Sequence, residues 1–190
     1  MTDGSALLMT MMFGMYSAGQ WKDERESNLL DGAAHFYGCY ECKDGKYISI
    51  GSIEPQFYAS LIENMELEAS KFSNQFDKNL WPNLKELIGL RFKEKTRDEW
   101  CKIFTGKDIC FAPVLSLEES LNNQHNLDRE TFVEVAGIKQ PAPAPRFSRT
   151  ESEIKHPPLK VGSNTPEIIE SLSSKIDVSA LSDKKIIRLD

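Results

Sequence analysis

Glu54 stands in GSIEPQFY, Gly51 to Tyr58, a carboxylate set between two runs of different periodicity. Before it, Ile48 and Ile50 alternate with Tyr47 and Ser49, which predicts a strand. After it, Phe57, Leu61 and Met65 recur four apart with Tyr58 and Ile62 between them, which predicts a helix from Pro55 onward. Proline suits a first helical turn, where an N–H has no partner in any case, and an acid there faces the positive end of the helix dipole. Local structure alone therefore accounts for this carboxylate.

Other residues with chemical potential are sparse. Cys39 and Cys42 have C-x-x-C spacing, but in a strand-like run an odd separation puts the two side chains on opposite faces. No second pair completes a zinc site, so the expected metal set is none. Cys101 and Cys110 bring the cysteines to four, too few for a secreted disulfide scaffold. Of the three histidines, His125 lies in a polar loop and His156 precedes two prolines.

The chain has 190 residues, 40% of them hydrophobic, enough for a real core in one domain or two small ones. A net charge of −6 with scattered Lys and Arg gives no basic stripe, and no nucleic-acid partner is expected. The elements that must position Glu54 are legible. FYGCYEC–KDG–KYISIGS predicts a hairpin turned at Asp44 and Gly45. Pro82 opens a helix with Leu84, Leu87, Ile88 and Phe92 on one face. Thr96 and Glu99 form a capping box for the next helix. Ile109 to Ser116 predicts a short strand broken by Pro113, SLEESLNN a short helix, and NLDRETFVEV a lead into a strand. QPAPAPRFSRT, Gln140 to Thr150, reads as an extended, solvated arm, followed by a mobile tail. There is no internal repeat.

Gly4 to Gly19 is a dense apolar run preceded by Asp3 and no Lys or Arg, the wrong sign for a signal peptide and too short for a membrane span. Leu8, Met11, Met12 and Met15 share a helical face, and Leu7, Phe13 and Tyr16 widen it. A helix apolar on most sides is normally buried, so the chain reads as though it begins inside a larger domain.

NLLDGAAHFYGCYECKDGKYISIGSIEPQFY, Asn28 to Tyr58, resembles the alpha-methylacyl-CoA racemases of the class III CoA-transferase family. So do MTDGS with the methionine-rich helix after it, NQFDKNLWPNLKELI, DICFAPVLSLEE and PAPAPRFSRT, in that order. The resemblance covers at least Met1 to Arg149. Ala33 and His35 depart from it, standing where the pattern has Gly and Pro. The implied fold is a small α+β domain, 36–135, with a truncated piece of an α/β Rossmann-like large domain. Residues 1–35 would be a helix and linker of that large domain, and 136–190 an arm returning to it.

The implied activity inverts the methyl-bearing carbon beside the thioester of a 2-methyl-branched fatty acyl-CoA. Such an α-proton is weakly acidic, so a base removes it while the enolate is stabilised and an acid returns a proton to the opposite face. In the family these groups are an aspartate and a histidine held by a glutamate, and the resemblance assigns that glutamate to Glu54. A carboxylate beside an imidazole fixes its tautomer and raises its basicity. Leu30, Tyr37 and Ile53 match positions lining the acyl chain, and Met1 with its neighbours matches a methionine-rich acyl surface, where a flexible, polarizable side chain suits two orientations of a branched substrate. No cofactor is implied, CoA being part of the substrate.

The family's histidine, aspartate and CoA-binding half precede the point where this chain begins, so it is expected to be an N-terminally truncated fragment, inactive alone. His35, His125 and His156 match none of the missing groups, and Asp3 corresponds to an Asp-Gly pair downstream of the catalytic aspartate. One alternative is a CoA-transferase moving CoA between carboxylic acids, although Gly51-Ser52-Ile53-Glu54-Pro55 replaces the glycine-rich loop expected there. Another is a non-catalytic subunit pairing with full-length chains, since the family's homodimers interlock. Peroxisome and mitochondrion are the implied compartments, although Arg188-Leu189-Asp190 is not a peroxisomal tripeptide.

Overall fold

The N-terminal apolar run forms two short helices, α1 (Thr2–Leu8) and α2 (Thr10–Ser17), in the computed structural model, which describes residues 1–172 and 177–187. No residue in either helix is buried, and Leu7, Leu8, Met11, Phe13 and Tyr16 are exposed. The apolar surface expected from the sequence is thus present and uncovered by the rest of its unit. The chain divides into two units, Met1–Leu115 and Ser116–Asp190.

In the first unit the predicted hairpin is β1 (Tyr37–Glu41) and β2 (Tyr47–Gly51), antiparallel, with Tyr37 opposite Gly51 and Tyr40 opposite Ile48. Gly45 turns it at φ 73°, a left-handed conformation that glycine adopts without a Cβ clash. A short strand, β3 (Phe111–Pro113), pairs antiparallel with β2, giving the order β1-β2-β3. Pro113 is tolerated because β3 is an edge. Tyr40, Ile48 and Ile50 are buried, whereas Cys39 is exposed, as period-two alternation requires.

Helices α3 (Pro55–Asn64), α4 (Trp81–Phe92) and α5 (Arg97–Phe104) complete the unit, with a 3-10 turn at Ala69–Phe72. The predicted spacings hold: Leu61 and Met65 are fully buried, and α4 buries Trp81, Leu84, Ile88 and Phe92. α4 starts one residue before the proline expected to open it, which places Pro82 inside the first turn. The Thr96–Glu99 capping box is formed: Glu99 N–H donates to Thr96 Oγ1 at 3.3 Å and Thr96 N–H to Glu99 Oε2 at 2.8 Å. Phe92 is the hub of the aromatic core, stacked on Tyr40 at 5.1 Å and edge-on to Trp100 at 5.3 Å. Each such buried side chain is worth about 1.5–3 kcal/mol of transfer free energy, so this packing, more than helix propensity, joins α4 and α5 to the sheet.

The second unit contains α6 (Leu117–Leu121), started by a Ser116–Glu119 capping box, then α7 (Gln124–Asp128). A hairpin follows, β4 (Phe132–Val135) with β5 (Ile138–Pro141), then α8 (Thr165–Leu172) and α9 (Val178–Asp183). The expected arm from Gln140 to Thr150 is free of helix and exposed from Ala144 onward, but it is also anchored to its own unit. Gln140 and Pro141 belong to β5, Ala142 N–H donates to Thr131 O at 2.9 Å, and the Arg146 guanidinium donates to the carbonyls of Arg129 and Glu130. These anchors are carbonyls left open where the chain turns between α7 and β4, and no composition signal announces them. Arg188, Leu189 and Asp190, relevant to the peroxisomal question, lie outside the described residues. Among the described residues no helix is long and apolar enough to cross a membrane, and no cluster of three His, Cys, Asp or Glu residues is placed to hold a metal ion.

Candidate functional site

Where β2 gives way to α3, the chain passes through Ser52, Ile53 and Glu54. Glu54 is the N-cap of α3, in extended conformation at φ −71° and ψ 142°, and its carbonyl accepts the Tyr58 N–H at 2.9 Å. The backbone therefore starts the helix. The side chain does not take part: it makes no capping hydrogen bond, is exposed, and has no hydrogen-bond or ion-pair partner among the described residues. Beside it, burial pushes the Cys110 thiol pKa up, and the negative charges of Glu54 and Asp108 push it further.

The backbone under Glu54 is held from several sides. Ser52 is fully buried; its N–H donates to Phe36 O at 3.0 Å and its hydroxyl donates to Ile109 O. The Gln75 side-chain amide reaches the loop from elsewhere in the unit. Its Nε2 donates to Ser52 O at 3.1 Å and to Ile53 O at 2.9 Å, while Trp81 Nε1 donates to Gln75 O at 2.8 Å. One buried and one partly buried carbonyl are thereby satisfied in a stretch outside any ladder. Gln75 and Ser52 lie in stretches of family resemblance, but neither residue is marked there as a clamp. The hydrogen bonds made by their side chains reach across 22 to 57 residues, and neither type in isolation marks a loop clamp.

Of the other candidates, Tyr37 and Ile53 gather at the same end of the sheet. The Tyr37 ring lies over Gly51, whose Cβ position is 3.5 Å from Tyr37 Cε2, and both Tyr37 and Ile53 pack on the margin of the core. Leu30 is half-buried in a turn fixed by a different network. Asn28 Nδ2 donates to Asp31 Oδ2 at 2.7 Å, and Asn28 N–H to Asp31 Oδ1 at 2.8 Å. Burial pushes the Asp31 carboxyl up, but the hydrogen bonds from Asn28, Ser27 and Ala33 outweigh it and hold the pKa below its ordinary value. Leu29, not Leu30, packs on the core. Met1 is fully exposed at the start of α1.

The histidines offer no acid–base group at this place. His35 is fully buried, and burial lowers its pKa to about 4, so it is a neutral packing residue at neutral pH. His125 and His156 are exposed in the second unit, and Asp3 is exposed in the first turn of α1. All four cysteines are free, and the buried Cys42 thiol is pushed up to about 11 by burial and by Asp44. The candidate site in this chain is therefore a carboxylate presented on a clamped corner, with Tyr37 and Ile53 at the same end of the sheet.

The sequence of the chain is similar to those of known proteins. The chain is 37% identical to alpha-methylacyl-CoA racemase from Mus musculus over 194 aligned residues, covering 100% of this chain and 51% of that protein. It is 36% identical to the Homo sapiens alpha-methylacyl-CoA racemase, covering 98% of this chain and 50% of the relative. The chain thus spans about half the length of these relatives. Among solved structures, Rv3272 from M. tuberculosis superposes with a TM-score of 0.63 at 15% identity, over 86% of this chain and 43% of that one, a likeness of fold. The defining pattern of CoA-transferase family III matches residues 1–165, and the chain belongs to that family.

Proposed function

We propose that this chain forms part of an enzyme that racemises 2-methyl-branched acyl-CoA thioesters by removing and returning the α-proton, with Glu54 as the partner of the histidine that acts on one face. The observation that carries this reading is the idle carboxylate of Glu54 on a braced backbone. A helix-start acid kept only for structure would be expected to bond the helix's free N–H groups, and this one leaves them. An exposed carboxylate on a fixed corner is suited to meet an imidazole presented from outside the chain. It would hold the ring's tautomer by accepting one N–H and stabilise the charge that forms when the other nitrogen takes a proton. Tyr37, Ile53, Leu30 and Met1 are the proposed acyl-side contacts. The histidine, the aspartate and the CoA cradle belong, on this reading, to the half of the relatives' length that this chain does not span. An interlocked homodimer in peroxisome or mitochondrion is part of the same proposal.

The test follows exchange of the α-proton of a 2-methylacyl-CoA in deuterated water. The chain united with the missing half should exchange both epimers, whereas the 190-residue chain alone should show nothing above buffer. Exchange by the chain alone would place the acid–base pair within it and overturn the assignment. Transfer of CoA to a free carboxylic acid, without α-proton exchange, would instead identify a CoA-transferase.

A further inference from the structure

Gln75 lies in NQFDKNLWPNLKELI, a stretch of family resemblance, but neither its residue type nor any periodicity assigns it a role. It lies between the 3-10 turn and α4, 7% exposed, in a stretch of irregular backbone. A buried primary amide with two donors normally finds two acceptors. Here both acceptors are consecutive backbone carbonyls, Ser52 O and Ile53 O, the two that immediately precede Glu54. The Gln75 backbone carbonyl accepts from the indole N–H of Trp81, which is itself buried in the core at the start of α4. A rigid line therefore runs from the core through Trp81 and Gln75 to the peptide joining Ile53 to Glu54. From the other side Ser52 is bonded to Phe36 O and Ile109 O, one flanking β1 and the other preceding β3. The corner has no strand partner of its own for these carbonyls, so the amide fixes the direction in which the Glu54 side chain leaves the backbone.

We propose that Gln75 is a positioning residue for the reaction, acting through Glu54 by clamping the Ser52 and Ile53 carbonyls; this rests on the reading of Glu54 given above. A side chain on a corner that rocks cannot keep one carboxylate oxygen aligned on an imidazole N–H, so loss of the clamp should fall on the proton transfer served by that imidazole. It should leave the opposite face of the carbon largely untouched. Removing Gln75 and removing the Glu54 charge should then damage the same interaction and fail to add.

The experiment is a double-mutant cycle in the full-length enzyme, with Gln75→Met, an unbranched side chain of similar length without donors, and Glu54→Gln. Gln75→Leu serves as a second variant, and circular dichroism confirms folding of each. α-Proton exchange is followed separately for the two epimers. Gln75→Met should slow exchange from one epimer by about tenfold, the scale for loss of an orienting partner, with less effect on the other. The double variant should be no slower than the worse single one. In parallel, amide hydrogen exchange of residues 51–58 should accelerate in Gln75→Met while the peptides of α4 stay protected. Equal slowing of both epimers, additive losses in the cycle, or unchanged protection of residues 51–58 would overturn the proposal and leave Gln75 a packing residue. If Glu54→Gln is silent for both epimers, the reading of Glu54 fails first and the proposal with it. If Glu54→Gln is slow but adds fully to Gln75→Met, the reading stands and the proposal alone fails.

Discussion

The imidazole Nε2 of His35 lies 2.7 Å from the Tyr58 hydroxyl, while its Nδ1 is buried with no hydrogen-bond partner among the described residues. The two side chains join the residue before Phe36 to the first turn of α3, one turn beyond Glu54, and Phe36 and Phe72 close around the ring. The Tyr40 hydroxyl donates to the His35 carbonyl at 2.5 Å, so the segment entering β1 is fixed at both backbone and side chain. The imidazole thus makes a core contact, edge-on to Phe36 and Tyr58.

This burial has a consequence for stability against pH. A charged imidazole in this apolar pocket would lack solvent and any counterion, so the folded chain holds the His35 pKa near 4 against 6.5 for the free side chain. Below pH 6.5 the unfolded chain gains a proton that the folded chain refuses. Stability from this residue is therefore complete above pH 6.5 and falls as pH drops towards 4, by about 3 kcal/mol in all. Urea unfolding at pH 7.5 and pH 5 should show a loss in the wild-type chain that is smaller in His35→Gln. An equal loss in both would mean that His35 titrates normally in the folded state.

How much of this was legible in the sequence depends on the range of the interactions involved. The hairpin, the Pro55 helix and the Thr96 capping box rest on neighbours within a few residues, and each formed as its spacing predicts. The unburied apolar surface of α1 and α2 was likewise visible in composition. The exposed, non-helical arm is legible in its prolines, but its anchors are not, because Ala142 and Arg146 bond to carbonyls 11 to 17 residues earlier. Glu54 could be singled out by type and setting. The clamp that fixes it could not, because Gln75 reaches across 22 residues and nothing in NQFD marks a buried amide. Long-range side-chain-to-backbone bonds leave no periodic trace.

The uncovered face of α1 and α2 should make the isolated chain associate. Leu7, Leu8, Met11 and Phe13 expose well over half of their surface, and an apolar patch of that kind drives proteins together in water. Light scattering at micromolar concentration should report species larger than 21.6 kDa. The double substitution Leu8→Lys and Phe13→Lys should reduce their mass, since neither residue is buried in the folded chain. A monodisperse monomer of the unsubstituted chain would show that the face is satisfied in some other way.

Glu54→Gln separates a structural carboxylate from one that serves chemistry. A charge at a helix N-terminus is worth about 0.3–1 kcal/mol, and the Glu54 side chain makes no capping bond that the amide would forfeit. The melting temperature should therefore stay close to that of the parent in the full-length enzyme. An amide keeps the shape and can still accept one hydrogen bond, but it cannot stabilise a protonated imidazole. Removal of the charge should slow α-proton exchange by about tenfold or more. On the proposed reading the loss should concentrate on one epimer, the one whose proton is removed by the imidazole that Glu54 would hold. A small, equal loss for both epimers would return Glu54 to the role of helix-start acid, and so would a marked fall in stability with an unchanged rate. The two properties are read in one variant, so the structural and chemical roles predict opposite patterns.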